Sequence, residues 1–109
     1  MDTVTHQLAD LILDIEAEMR RIHLWESERP SEEALSSLVP FCHDTMAFHQ
    51  WLQWVFLPKM KAVVETEEDF PASSDITPLA EYSFERLPQS TEKLLELIQE
   101  FDDFINRQP

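Results

Sequence analysis

The stretch FHQWLQWVFLPKMKAVV, residues 48 to 64, decides the fold. On a wheel at about 100° per residue, Phe48, Leu52, Phe56, Leu57, Met60, Val63 and Val64 cover one half. Trp51, Trp54, Val55, Pro58 and Ala62 cover most of the other half, and only Gln50 and Lys61 leave a polar arc. A helix apolar nearly all round is buried in the middle of a domain. Pro58 lacks an N–H and crowds the carbonyl four residues back, that of Trp54, so a kink or break is expected in this central helix.

The flanks read as helices that could wrap this rod. From Thr3 to Leu24, Val4, Leu8, Leu11, Ile12, Ile15, Met19 and Ile22 recur at steps of three and four, which is one helical stripe. Glu16 and Arg20 stand four apart on its solvent side. A long connection from Trp25 to His43 holds Pro30 and Pro40, and Ser31 can cap a short turn there. Asp44 or Thr45 is the expected N-cap of the central helix, which runs to about Glu65. Thr66 to Ile76 is an acidic loop with Phe70 as an anchor. Thr77-Pro78 opens a short third helix, with Thr as cap and Pro at the first helical position. Ser90 or Thr91 caps the last helix, whose stripe is Leu94, Leu95, Ile98, Phe101 and Ile105, and Asp103 can pair with Arg107. These elements predict an all-α four-helix bundle with long connecting loops, in one domain over residues 1–109.

Composition narrows the function. The chain has 22 acids against 8 bases and a net charge of −14. Phosphate backbones are bound by Lys and Arg that release counterions, so direct binding to nucleic acid is disfavoured. Anionic membrane surfaces are disfavoured for the same reason. The N-terminus has neither a basic nor an apolar signal region, and no apolar run reaches bilayer length, so a cytoplasmic location is expected. A lone Cys42 allows no intrachain disulfide, which suits a reducing compartment. The chain has no glycine, so phosphate-cradling loops, dinucleotide turns and nucleophile elbows are excluded.

Candidate chemistry is thin. His6, His23, His43 and His49 fit neither HExxH nor Glu-x-x-His. Cys42-His43-Asp44 gathers donor types, but adjacent residues rarely ligate one ion. Cys42 more simply packs as a small hydrophobe. Cys42 beside His43 has no third group to orient it and no oxyanion site. The acids Glu65, Glu67, Glu68, Asp69, Asp102 and Asp103 read as solvated surface. No catalytic residue, metal or cofactor is therefore assigned.

One surface is unusual. Between Thr45 and Val64 there is no Asp or Glu, and Lys59 and Lys61 are the only charges. Aromatics at helical spacing are core by default. A bundle of 109 residues has few helices with which to cover this rod, so part of it is expected to remain a contact site. Trp51 or Trp54 would serve as anchor and Lys59 as the polar contact. The partner would be a protein, a second copy of the chain included.

The run PFCHDTMAFHQWLQWVFLPKM, Pro40 to Met60, resembles the signature of the YqcC-like family of small bacterial proteins. The matching pieces are Pro40-Phe41, Asp44-Thr45-Met46, Trp51 to Val55 and Pro58-Lys59-Met60; His23 to Pro30 and Asp75 to Leu87 also look like family features. Lys59 stands where Arg is expected, which weakens any bidentate contact to an anion. His49-Gln50 stands where an acid is expected, so no carboxylate role carries over there. The resemblance implies a helical bundle in the bacterial cytosol and a link, by association, to tRNA pseudouridine synthase C. The candidate binding residues are Phe41, Asp44, Thr45, Trp51, Trp54, Pro58, Lys59 and Met60. Two readings stand beside the interaction module: a helper of tRNA pseudouridine formation, and a small-ligand bundle with a pocket opened at Pro58.

Overall fold

In a computed structural model, residues 3–108 are described, and every regular element among them is helical. Helix α1 spans Thr3–Arg21 and α2 is a single turn, Glu32–Leu35. A 3₁₀ turn at Pro40–Cys42 leads to the central rod, which begins as α3 at Phe48–Trp51. The rod widens into a π-helical turn at Leu52–Phe56, where the Leu57 N–H donates to the Leu52 carbonyl five residues back, and continues as α4 at Leu57–Thr66. Helices α5 (Thr77–Phe84) and α6 (Glu92–Asn106) complete the chain.

Helix α1 packs against both α6 and α4, and α5 lies on α6. The core joins Leu8, Ile12, Ile15 and Met19 of α1 to Leu52, Phe56, Leu57 and Met60 of the rod and to Leu94, Ile98, Phe101 and Ile105 of α6. Of the apolar stripe of the first helix, Leu8, Ile12, Ile15, Met19 and Ile22 are buried, Leu11 is half-buried and Val4 lies exposed at the helix end. Glu16 ties α1 to the rod, accepting from Lys61 at 3.0 Å and from Arg20 at 3.1 Å.

Several boundaries differ from the sequence expectation, each for a local reason. Helix α1 stops at Arg21 rather than near Leu24, because His23 turns left-handed at φ 63. Its N–H bonds the Arg20 carbonyl and the Leu24 N–H bonds that of Met19, which closes a Schellman motif with Leu24 packed inside. Glycine usually takes that place. In a chain without glycine, His23, Phe41, Cys42 and Glu67 hold the four positive-φ positions among the described residues.

The rod starts at Phe48, not at Asp44 or Thr45. Ala47 stands at the N-cap, and its N–H donates to the Gln50 side chain at 2.8 Å. Asp44 and Thr45 are used elsewhere: Asp44 accepts from the Ser37 hydroxyl at 2.5 Å, and the Thr45 hydroxyl donates to the Ala34 carbonyl at 2.8 Å. Both fasten the connection to itself. The helix continues through Pro58, and the adjustment falls in the wide turn before it. We attribute that turn to the missing proline N–H, since a π turn is one way a helix re-arranges its bonds around such a residue.

The largest difference concerns Asp102. It is 2% exposed rather than a solvated acid. One carboxylate oxygen accepts from Ser74 Oγ at 2.5 Å and Ile76 N–H at 3.1 Å, the other from Thr77 N–H at 2.9 Å and Thr77 Oγ1 at 2.6 Å. Thr77 was expected to cap α5 with its own hydroxyl; that hydroxyl instead donates to Asp102, whose charge meets the first amides of α5 from a different helix. Asp103 accepts from Gln99 at 3.1 Å, not from Arg107.

Candidate functional site

The half-buried face of the rod opens into a groove of about 370 Å³. Trp51, Val55, Phe56, Lys59 and Met60 form its floor, Phe41 one end, and the segment from Pro71 to Ile76 a wall, with Phe101 beneath. Rings run through it in contact. Phe41 meets Trp51 edge-on at 4.9 Å, Trp51 lies 5.5 Å from Phe56, and Phe56 meets Phe101 edge-on at 4.8 Å. Phe48 stacks on Trp51 from the core side at 5.6 Å. Tilted and edge-on pairs suit the ring quadrupole.

Phe41 reaches this position by a costly backbone. It and Cys42 are left-handed in succession, at φ 60 and φ 49. Each such non-glycine residue costs about 1–2 kcal/mol. The surrounding bonds hold it: Cys42 N–H to Val39 O at 3.0 Å, His43 N–H to Pro40 O at 3.2 Å, and the Thr45 and Asp44 ties already given. Leu38 and Val39, just before it, are exposed. Among the described residues, Lys59 has no ion pair.

The eight residues singled out in the sequence do not form one site. Phe41, Trp51, Lys59 and Met60 come together at the groove, with Lys59 exposed and Met60 3% exposed beneath it. Asp44 and Thr45 support the segment that presents Phe41. Trp54 and Pro58 face a second depression, of about 530 Å³, with Arg20, Trp25, Gln53 and Lys61.

That second depression contains residues that sequence reasoning passed over. Gln53 is 4% exposed and turns both ends of its amide to the Glu26 backbone, accepting from the N–H at 2.8 Å and donating to the carbonyl at 2.6 Å. The Glu26 carboxylate faces His49 Nε2 at 2.8 Å and accepts from Gln50 at 3.0 Å. Burial pushes the Glu26 carboxyl up, but the His49 and Gln50 hydrogen bonds outweigh it and hold it below the usual carboxylate range. Burial likewise pushes Glu16 up, and Lys61 and Arg20 reverse it. The Arg20 guanidinium lies 4.4 Å above the Trp25 ring. The signal for Gln53 was its place as a lone polar residue inside the greasiest run. Among the described residues, no group of three or more His, Cys, Asp and Glu is placed to hold a metal, and no helix is long and apolar enough to cross a membrane.

Fold and groove define a small all-helical protein built on a π-interrupted aromatic rod. The chain belongs to the YqcC-like family: residues 7–104 match the family DUF446, which carries the description tRNA pseudouridine synthase C. It is 35% identical over 80 residues to an uncharacterized protein of Haemophilus influenzae, covering 73% of this chain and 76% of that one. It is 32% identical over 78 residues to the uncharacterized protein YqcC of Escherichia coli, covering 71% and 72%. It is also 43% identical over 68 residues to a tRNA pseudouridine synthase C of Pectobacterium carotovorum; that stretch is 62% of this chain and only 18% of the longer protein. The solution NMR structure of YqcC from E. coli matches with a TM-score of 0.84 at 24% identity, over 99% of this chain and 93% of that one, a likeness of fold.

Proposed function

We propose that this protein is a non-enzymatic accessory module that docks a protein partner on the Phe41–Trp51–Lys59 groove. The carrying observation is Lys59, without an ion pair among the described residues, beside half-buried rings and on an acid-free stretch of a chain with net charge −14. A partner with an apolar side chain next to a carboxylate complements Lys59 and the rings, in a groove where Asp75 is the one acid among the lining residues. Trp is favoured as an anchor because it offers large area at little entropic cost.

A second observation favours one partner. In the Pectobacterium relative, a stretch similar to this chain is 18% of a protein named tRNA pseudouridine synthase C. A module joined to an enzyme in one chain meets it at high effective concentration, and a separate chain can reach the same arrangement by docking. The reading is therefore a helper of that synthase, with the synthase holding the tRNA, since the acidic balance disfavours direct RNA contact.

Co-expression with a tRNA pseudouridine synthase C, followed by size-exclusion chromatography, tests this. A stable complex is expected, lost on Lys59→Glu and weakened on Trp51→Phe, with unchanged circular dichroism in both variants. Binding of tRNA by this chain alone at physiological salt, or a complex indifferent to Lys59→Glu, overturns the reading.

A further inference from the structure

The tip of the connection between α1 and the rod is apolar and faces water. Leu38 is fully exposed and Val39 is 42% exposed, while Leu35 and Phe41, three residues to either side of Leu38, are half-buried. A single exposed apolar residue is ordinary, but two in succession place a contiguous apolar surface in solvent.

The tip is held in shape by its own bonds. The Val39 N–H donates to Ser37 Oγ at 3.1 Å, the Ser37 hydroxyl donates to Asp44 at 2.5 Å, and the Cys42 N–H closes the turn on the Val39 carbonyl at 3.0 Å. Thr45 ties the far side to the Ala34 carbonyl at 2.8 Å. Pro40 fixes its own φ, and the left-handed pair Phe41 and Cys42 turns the chain immediately beyond. Strained backbone of this kind collects at ligand clamps, and a loop ordered in advance loses less entropy when it binds.

Its surroundings are acidic. From Trp25 to Ala47 the chain carries Glu26, Glu28, Glu32, Glu33 and Asp44, with Arg29 and His43 as the basic residues. Arg29 is bonded to Glu32 at 2.6 Å, whereas Glu28, Glu33 and Asp44 are exposed and, among the described residues, have no ion pair. Asp44 stands beside the tip through its bond to Ser37, and Glu33 lies on α2 just before it. The floor of the groove, in contrast, carries Lys59 and no acid.

We propose that Leu38 and Val39 form a second contact, an apolar plug that enters a socket rimmed by Lys or Arg on the protein docked at the groove. This rests on the docking reading above. Phe41 joins the two contacts: it ends the groove and lies two residues from Val39, so one partner can cover both. A partner that sets a carboxylate at Lys59 and cations at Asp44 and Glu33 has one orientation, since reversing it brings like charges together. A protein that holds tRNA has such cations, because phosphate binding requires them.

The test is the affinity for tRNA pseudouridine synthase C by titration calorimetry. Leu38→Ser should weaken it about tenfold or more, as loss of a buried leucine does. Asp44→Asn keeps an acceptor for Ser37 and removes the charge; combined with Glu33→Gln, it should flatten the fall in affinity between about 50 and about 300 mM NaCl. All three positions are exposed, so the circular dichroism should not change. Full affinity in Leu38→Ser, or an unchanged salt dependence in the charge variant, overturns the proposal. Loss on Lys59→Glu with indifference at Leu38 rejects the plug and keeps the groove. Loss on Leu38→Ser with indifference at Lys59 keeps the plug and rejects the groove, and no complex at all rejects both.

Discussion

Asp102→Asn isolates the buried carboxylate that holds the wall of the groove. Each oxygen takes two donors, and all four come from Ser74, Ile76 and Thr77. An asparagine keeps one acceptor oxygen, which can still serve Ser74 and Ile76. Its amide nitrogen then faces the Thr77 N–H, donor against donor. The Thr77 hydroxyl can rotate and accept, but its N–H cannot. Thr77 is 5% exposed, so no water reaches that amide easily. An orphaned buried N–H costs about 1–3 kcal/mol, and loss of the charged cap on α5 costs about 1 kcal/mol more. The sum is about 2–4 kcal/mol, a large part of a total of about 5–15 kcal/mol for a domain. At a urea slope of about 1–3 kcal/mol/M, the unfolding midpoint should fall by about 1–3 M when followed by far-UV circular dichroism. The segment Ser74 to Ile76 should loosen first, seen as faster amide exchange there than in α1. A midpoint within about 0.3 M of the unaltered chain, with α5 amides still protected, would mean that Asp102 does not cap α5.

Two further outcomes follow from strain and from charge. Glu67 ends α4 at φ 55, so Glu67→Gly should stabilise by up to about 1 kcal/mol and Glu67→Val should destabilise by about as much, read from urea midpoints; a stabilising valine would contradict the strain argument. Glu26 is held below the usual carboxylate range, so its contribution is present above its unfolded value and is lost as pH falls through the lower folded one. The overall charge of −14 pushes the other way on acidification, so the informative quantity is a difference. The unaltered chain should exceed Glu26→Gln in stability near neutral pH, and the gap should shrink below about pH 4.3; a gap that widens in acid reverses the sign and rejects the assignment.

The sequence made the helices legible because their apolar spacing is regular. Most of the stripe of α1, and the half of residues 48–64 that holds Phe48, Leu52, Phe56, Leu57, Met60, Val63 and Val64, correspond to the buried surfaces seen here. Several of its misreadings share one cause: short polar side chains were assigned to the nearest backbone. Asp44, Thr45 and Thr77 are all good N-caps by type, yet each spends its side chain on a partner elsewhere in the fold. Asp102 carried a signal that went unused, since it stands four after Ile98 and three before Ile105, on the buried stripe. The groove was half legible. Trp51 and Lys59 are legible as anchor and polar contact, but Met60 lies on the opposite half of the wheel from Trp51, and the arrival of Phe41 depends on two left-handed residues that no periodicity announces. The second cleft joins Arg20 of α1 and Trp25 of the connection to Trp54 of the rod, and only the tertiary fold brings them together.

The wide turn at Leu52–Phe56 also sets the rotational phase of everything after it. One residue is about 100° of an α-helix. Excising a single residue between 52 and 56 would return the rod to ordinary pitch and swing the two tryptophans relative to Met60, Val63 and Val64. The aromatic end and the core end of the rod could not then both face their present surroundings. The chain should therefore tolerate substitution in that turn far better than a change in its length.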